Sequence, residues 1–172
     1  MEAKVREAFE KITHLLIEKN ITISTMESCT SGLIASLITD TDGASAVLKG
    51  AFVTYSNEAK IRQGVPEEVI RQYGVYSEET AAAMAEACRN AYDADIGIGV
   101  TGSYGNIDPN NADSVPGEVF FAIDAEGKTQ TWRWTLSPQP TRAAYKYDTA
   151  CRIAEQLLCC LTDEKRKPGD AV

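Results

Sequence analysis

The 172-residue sequence is short of histidine, of positive charge and of paired cysteine, and each shortage removes a class of function. Its one histidine, His14, falls beside the apolar stripe formed by Val5, Ala8, Phe9, Ile12, Leu15 and Leu16 and reads as a surface residue. A Ser-His-Asp or Cys-His unit would have to recruit it. Any nucleophile elsewhere is therefore expected to use a lysine, tyrosine or carboxylate as its base. The five cysteines are odd in number, Cys159 and Cys160 are adjacent, and no C-x-x-C pair occurs, so neither a disulfide framework nor a zinc site is expected. With 25 acids against 17 bases the net charge is −8; a broad nucleic-acid surface would need a basic face, so none is expected. No apolar run approaches the ~18–20 residues of a membrane span. The start, Met-Glu-Ala-Lys-Val, lacks the apolar core of a secretory signal, so a cytoplasmic protein without membrane contact is expected.

What is present reads as one folded unit over 1–162, followed by a polar, disordered tail over 163–172. Hydrophobic residues make up 44% and charged residues 24%, ordinary for a globular domain. Helical periodicity covers 3–19. Ile21–Met26 reads as a strand, and Thr30 or Ser31 as the N-cap of a helix through Ile38. A second strand is expected over Val47–Tyr55, then a short helix from Asn57, another with Pro66 in its first turn, and a longer one opened by Ser77-Glu78-Glu79. Ile96–Thr101 is an uninterrupted apolar strand. The irregular stretch Gly102–Pro116 follows it, long for a connection inside a compact domain. A hairpin turns at Glu126-Gly127. The last helix carries Ala143, Tyr147, Ala150, Cys151, Ala154, Leu157, Leu158 and Leu161 on one face. Alternating helices and strands with a late hairpin imply an α/β fold, a three-layer α/β/α domain around a mixed, mostly parallel sheet.

Three segments carry candidate chemistry. Glu27-Ser28-Cys29-Thr30-Ser31-Gly32 lies where a strand ends and a helix begins, the place where α/β sheets bind ligands and helix amides face outward. Backbone N–H groups of Thr30, Ser31 and Gly32 could hold an oxyanion there, beside the two nucleophiles Ser28 and Cys29. The plain alternative is an N-cap with a buried cysteine. Tyr55-Ser56-Asn57-Glu58-Ala59-Lys60 follows the second strand, and Tyr55 and Lys60, about one helical turn apart, can both face the first strand's end. A buried lysine loses its proton more readily and becomes a base for serine, with a tyrosine to assist; otherwise this is a solvated helix. Thr101-Gly102-Ser103-Tyr104-Gly105 closes the third strand, where small residues allow a ligand near the backbone; it lacks the Gly-Lys-Ser/Thr ending of a nucleoside-triphosphate loop.

Together these segments resemble the CinA C-terminal domain family, whose characterised activity is nicotinamide-nucleotide amidohydrolase. E-S-C-T-S-G over 27–32 resembles that family's E-S-C-T-G-G, and V-T-Y-S-N-E-A-K over 53–60 matches its second signature. Gly64-Val65-Pro66, Tyr73–Glu79, Ala94–Ile98 and Thr101-Gly102 follow in the expected order, and the resemblance runs from about Ala8 to Leu161. It implies a serine/lysine amide hydrolase that converts nicotinamide mononucleotide to nicotinic acid mononucleotide and ammonia. Ser28 would be the nucleophile, Lys60 its base and Tyr55 an assisting hydroxyl. Thr30, Ser31, Gly32, Asn57, Thr101 and Gly102 would contact the substrate. It also implies a small-molecule nucleotide as partner, self-association as a homo-oligomer, and no metal or organic cofactor.

The chain departs from the family in one region. Where the family reads T-G-I-A-G-P and later K-P-V-G-T-V, this sequence has Thr101-Gly102-Ser103-Tyr104-Gly105-Asn106 and Ser114-Val115-Pro116-Gly117-Glu118-Val119. No Lys or Arg occurs between Arg89 and Lys128, whereas seven acids do. Arg142 and Lys146, one turn apart, are candidates to replace the missing cation, and solvated helix charges are the alternative. Two readings stand: an active amidohydrolase, and a catalytically inactive family member acting as a nucleotide-binding or interaction module.

Overall fold

The computed structural model describes residues 1–105, 107–111 and 114–162. The expected tail over 163–172 lies outside the described residues, as do Asn106, Ala112 and Asp113 of the irregular stretch. In chain order the elements are α1 (Glu2–Lys19), β1 (Ile23–Glu27), α2 (Leu33–Thr39), a 3₁₀ turn (Ala44–Ala46), β2 (Leu48–Val53), α3 (Asn57–Arg62) and α4 (Glu67–Tyr73). They continue with α5 (Glu78–Tyr92), β3 (Ile96–Gly102), β4 (Glu118–Ala125), β5 (Lys128–Thr135) and α6 (Arg142–Thr162). Among the described residues no helix is long and apolar enough to cross a membrane.

The five strands form one sheet in the order β2-β1-β3-β4-β5. β1 pairs in parallel with both β2 and β3, whereas β4 is antiparallel to β3 and to β5, so β4 alone runs against the rest. Every residue of β1 and β3 is buried, as expected of strands covered on both faces. On one face α1, α2 and α6 bring Phe9, Ile12, Leu16, Leu37, Ile153 and Leu157 onto Ile23, Ile98 and Phe121. On the other, α5 brings Met84 and Cys88 around Met26 and Val65, and Ala81 and Ala85 onto Phe120 and Ala122. That second contact is close because β3 offers glycine: a Cβ on Gly99 would stand 2.1 Å from the Ala81 carbonyl oxygen, and one on Gly97 2.1 Å from that of Ala85.

Three local expectations are corrected. α2 starts at Leu33, because Ser31 (φ 54°) and Gly32 (φ 89°) take left-handed backbone and delay the helix; neither Thr30 nor Ser31 caps it. Pro66 stands before α4, at the cap position with extended backbone, rather than in its first turn. α6 buries Tyr145, Thr149 and Ile153 along with Ala150, Ala154, Leu157 and Leu161, while Ala143 is exposed and Tyr147 half-buried. The stacking of Tyr145 on Tyr104, with ring centroids 5.2 Å apart, fixes that rotation.

Candidate functional site

The parallel strands β1, β2 and β3 end together, and their hydrogen bonds continue one step further. Thr54 N donates to Glu27 O at 2.9 Å, and Ser28 N donates to Val100 O at 3.0 Å. Ser28, just past β1, is thus held from both sides. Beyond Thr54 the Ser56 hydroxyl accepts from Ala59 N and caps α3, and Lys60 lies one turn into that helix. Its side chain runs inward and is only 1% exposed. The amine donates to the Ser28 hydroxyl at 3.1 Å and to the Thr54 carbonyl at 2.8 Å. Burial pulls the Lys60 pKa down to about 8, against the opposing pull of the Asp108 and Glu58 charges.

Glu27 explains why the turn after β1 has this shape. Its carboxylate is fully buried and accepts from Gly32 N (2.9 Å), Ile34 N (3.1 Å), Ala35 N (2.9 Å) and the Thr25 hydroxyl (3.1 Å). It satisfies the first turn of α2, where a negative charge also meets the favourable end of the peptide dipoles. The expected oxyanion donors are corrected accordingly: Gly32 N is taken by Glu27, and Ser31 N donates to Ser28 O at 3.1 Å. Thr30 N, with its neighbour Cys29 N, has no acceptor among the described residues.

A cleft of about 830 Å³ opens over Ser28. Cys29 sits in its floor, 3% exposed, with burial pushing the thiol up to about 11. Tyr104 forms part of the wall. It is itself almost wholly buried, shares a 3.1 Å hydrogen bond between its hydroxyl and that of Thr149, and has its phenol pKa raised by burial. Arg142 reaches the cleft from the start of α6. Its guanidinium lies 5.6 Å from the Tyr104 ring centroid and donates to the Tyr55 hydroxyl at 3.2 Å. Lys146 is not among the residues lining the cleft.

The other expected site residues divide. Tyr55 is in the cleft but 63% exposed, and its hydroxyl meets Arg142 rather than Ser28 or Lys60, so the assisting role is not what its contacts describe. Asn57 lines the cleft and donates to the Asn111 side-chain oxygen at 3.1 Å. Gly102 lines it too, pressed so closely on β4 that a Cβ would stand 2.6 Å from Glu118 O. Thr101 points away: it is fully buried and donates to the Val75 carbonyl at 3.0 Å, a structural tie between β3 and the segment before α5. Among the described residues no group of three or more His, Cys, Asp or Glu is placed to hold a metal ion.

Sequence reasoning missed three participants. Asp108 accepts from the Tyr76 hydroxyl (2.6 Å), the Asn111 amide (2.6 Å) and Asn110 N (2.9 Å). The Tyr76 hydroxyl above all holds that carboxyl below its usual range. The third is Glu27 as a cap. Thr30 and Ser31, two capping hydroxyls just before α2, masked that role in the sequence.

Residues 5–159 match the CinA C-terminal domain family. A CinA-like protein of Dictyoglomus turgidum is 42% identical over 97 residues, 56% of this chain and 24% of the relative. One from Gemmatimonas aurantiaca is 38% identical over 119 residues, 69% of this chain and 28% of the relative. The chain thus spans about a third or less of the length of the curated relatives it matches. Among solved structures, a competence/damage inducible protein from Agrobacterium tumefaciens is 30% identical with a TM-score of 0.82, over 92% of this chain and 96% of that one. A CinA superfamily protein from Enterobacter cloacae is 26% identical with a TM-score of 0.84, over 92% of both chains.

Proposed function

This chain belongs to the CinA C-terminal domain family, and from that membership we propose that it is a serine/lysine amide hydrolase acting on nicotinamide mononucleotide. One observation carries the reading: a nearly buried lysine, with its pKa pulled down to about 8, stands 3.1 Å from a serine hydroxyl at the floor of a cleft. Surface lysines do not lose their charge in this way, and no histidine competes for the role.

The neutral Lys60 amine keeps one N–H on the Thr54 carbonyl and turns its lone pair to Ser28. As the Ser28 oxygen bonds to the amide carbon, Lys60 takes the hydroxyl proton. The tetrahedral oxyanion is received by the Cys29 and Thr30 amides, which have no acceptor of their own among the described residues. Lys60 then returns the proton to the departing nitrogen, the C–N bond breaks and ammonia leaves. Water attacks the acyl-serine, giving its proton to Lys60, and the carboxylate product departs as Ser28 regains a hydrogen. Arg142 takes the substrate phosphate in place of the absent loop lysine. In this reading the protein works in the cytoplasm as a homo-oligomer on a small nucleotide, without metal or organic cofactor.

Ammonia release from nicotinamide mononucleotide tests the proposal. Turnover by the protein and its loss in Ser28→Ala is the expected result. Absence of turnover across pH 7–9, with the nucleotide still bound, would instead favour the non-catalytic binding module.

A further inference from the structure

We infer that Tyr104 is a positioning residue that sets specificity: it fixes the base of the Arg142 side chain at one distance from Ser28, and so decides how strongly the cleft prefers a ligand that carries a phosphate. The inference rests on the amide-hydrolase reading and on Arg142 as its phosphate contact, and names the residue on which that contact depends.

An arginine in an ion pair is held by its carboxylate. Arg142 has none within ion-pair distance among the described residues. Its guanidinium instead lies 5.6 Å from the Tyr104 ring centroid and donates to the Tyr55 hydroxyl at 3.2 Å. An aromatic face attracts a guanidinium without occupying its N–H groups, so most of the fork stays open to an anion. The cleft needs that cation in a defined place. Arg142 is the one basic residue among the described residues lining it, and the acids Glu58 and Asp108 line it too and repel a phosphate.

Tyr104 can act as a seat because it is gripped from several sides. It stands just beyond β3 and is almost wholly buried. Arg142, Tyr145 and Thr149 fall on one face of α6 by their spacing, and all three meet it. The Tyr145 ring stacks on it with centroids 5.2 Å apart, and the Thr149 hydroxyl lies 3.1 Å from its own. Thr149 gives its one hydroxyl proton to Tyr145 O at 2.9 Å, so it accepts from Tyr104. The Tyr104 oxygen is then left to accept from the Cys29 thiol, its other hydrogen-bond partner. One rigid ring therefore spans from the residue beside Ser28 to the first turn of α6. It sets the reach from nucleophile to cation at the root of the Arg142 side chain, while the exposed outer part of that side chain still adjusts to what it meets.

The test is the ratio of dissociation constants for nicotinamide riboside and nicotinamide mononucleotide, measured by calorimetry in the Ser28→Ala background so that turnover does not intervene. The probes differ only in the phosphate. Tyr104→Met should cut the preference for the mononucleotide about fivefold and leave riboside affinity within about twofold. Tyr104→Phe keeps the ring and should hold the preference within about twofold. In an Arg142→Ala background, Tyr104→Met should change the ratio no further, because the two residues act through one contact. A loss falling equally on both probes would assign Tyr104 to packing alone and overturn the inference. So would an unchanged ratio in Tyr104→Met, a loss that adds to that of Arg142→Ala, or a parent that binds neither probe. Should Tyr104→Met not fold, the parent decides by NMR. Its Arg142 Nε–H proton, assigned by its absence in Arg142→Ala, is expected upfield of a solvent arginine and should move with the mononucleotide but not the riboside. A signal at the ordinary position would overturn the inference. Failure of the hydrolase reading shows separately, as no ammonia from the unmutated protein although the mononucleotide binds, and leaves the ratios readable.

Discussion

Lys60 and Thr54, six residues apart, are joined by a 2.8 Å hydrogen bond from the buried amine to the backbone carbonyl. A carbonyl accepts from an amine whether that amine is charged or neutral. It therefore orients Lys60 toward Ser28 without stabilising the ammonium as a carboxylate would. Burial is left free to lower the pKa, and the geometry survives proton loss.

A pH profile should report this directly. The neutral amine is the active form, so kcat/KM should rise about tenfold per pH unit below pH 8 and level off above it. Ser28→Ala should abolish the profile together with the activity. A flat profile between pH 6 and 8 would remove Lys60 from the role of base.

Stability carries the same signature with a calculable sign. The folded-state pKa of Lys60 lies near 8 and its ordinary value is 10.5, so between those pH values the folded chain binds fewer protons than the unfolded one. Stability therefore rises with pH across that window, and the full cost of burying the ammonium is present below it. Lys60→Met removes the charge and keeps the volume. The variant should be inactive yet more stable at pH 7 by about 1–2 kcal/mol, with the margin closing from about pH 8 toward 10.5. Urea unfolding at several pH values measures the difference.

The adjacent nucleophiles should separate cleanly. The Cys29 thiol is buried and pushed up to about 11, so almost none is thiolate at neutral pH. Cys29→Ala should keep most of the activity and lose about 1 kcal/mol of stability. Alkylation by iodoacetamide should be slow at this position, as peptide mapping would show. Loss of activity in Cys29→Ala with survival in Ser28→Ala would reverse the assignment.

Arg142 should distinguish phosphorylated from unphosphorylated substrate. Arg142→Ala is expected to raise KM for the mononucleotide about tenfold while barely changing it for the riboside. Equal effects on the two would remove Arg142 from the phosphate end of the cleft.

Glu27 should prove structural in a way that activity alone would misreport. Glu27→Ala leaves the amides of Gly32, Ile34 and Ala35 without their acceptor. A loss of about 3 kcal/mol or more is expected in chemical denaturation.

The sequence was most informative where signals were local. Ser28 follows β1, Ser56 and Asn57 follow β2 and open α3, and Ser103 follows β3; spacing allowed Lys60 to face Ser28, and the resemblance of the two motifs paired them. The Tyr55 hydroxyl was not. Where the tip of an exposed tyrosine rests is decided by what stands opposite, here Arg142, 87 residues away. Tyr76 and Asp108 are 32 residues apart, joined through a loop with no periodic pattern to place it. In α6 the apolar set identified the helix but misjudged its rotation by the width of one tyrosine, because Tyr104 stacks on Tyr145 rather than Tyr147. Glu27 was visible as a residue but not as a cap, since the left-handed step at Ser31 and Gly32 brings the helix amides back over it.

The backbone bonds that extend past β1, from Thr54 to Glu27 and from Ser28 to Val100, divide the cleft into two mechanical halves. The half with the nucleophile is an outgrowth of the sheet and shares its stiffness, so it should exchange amide hydrogens only as slowly as the strands themselves. Adjustment to a bound molecule then falls to the opposite rim, where Tyr55 and Arg142 stand exposed and free to change rotamer. The protein works as an anvil with a movable clamp: the reacting bond meets a surface that does not give, and fit is negotiated by two exposed side chains.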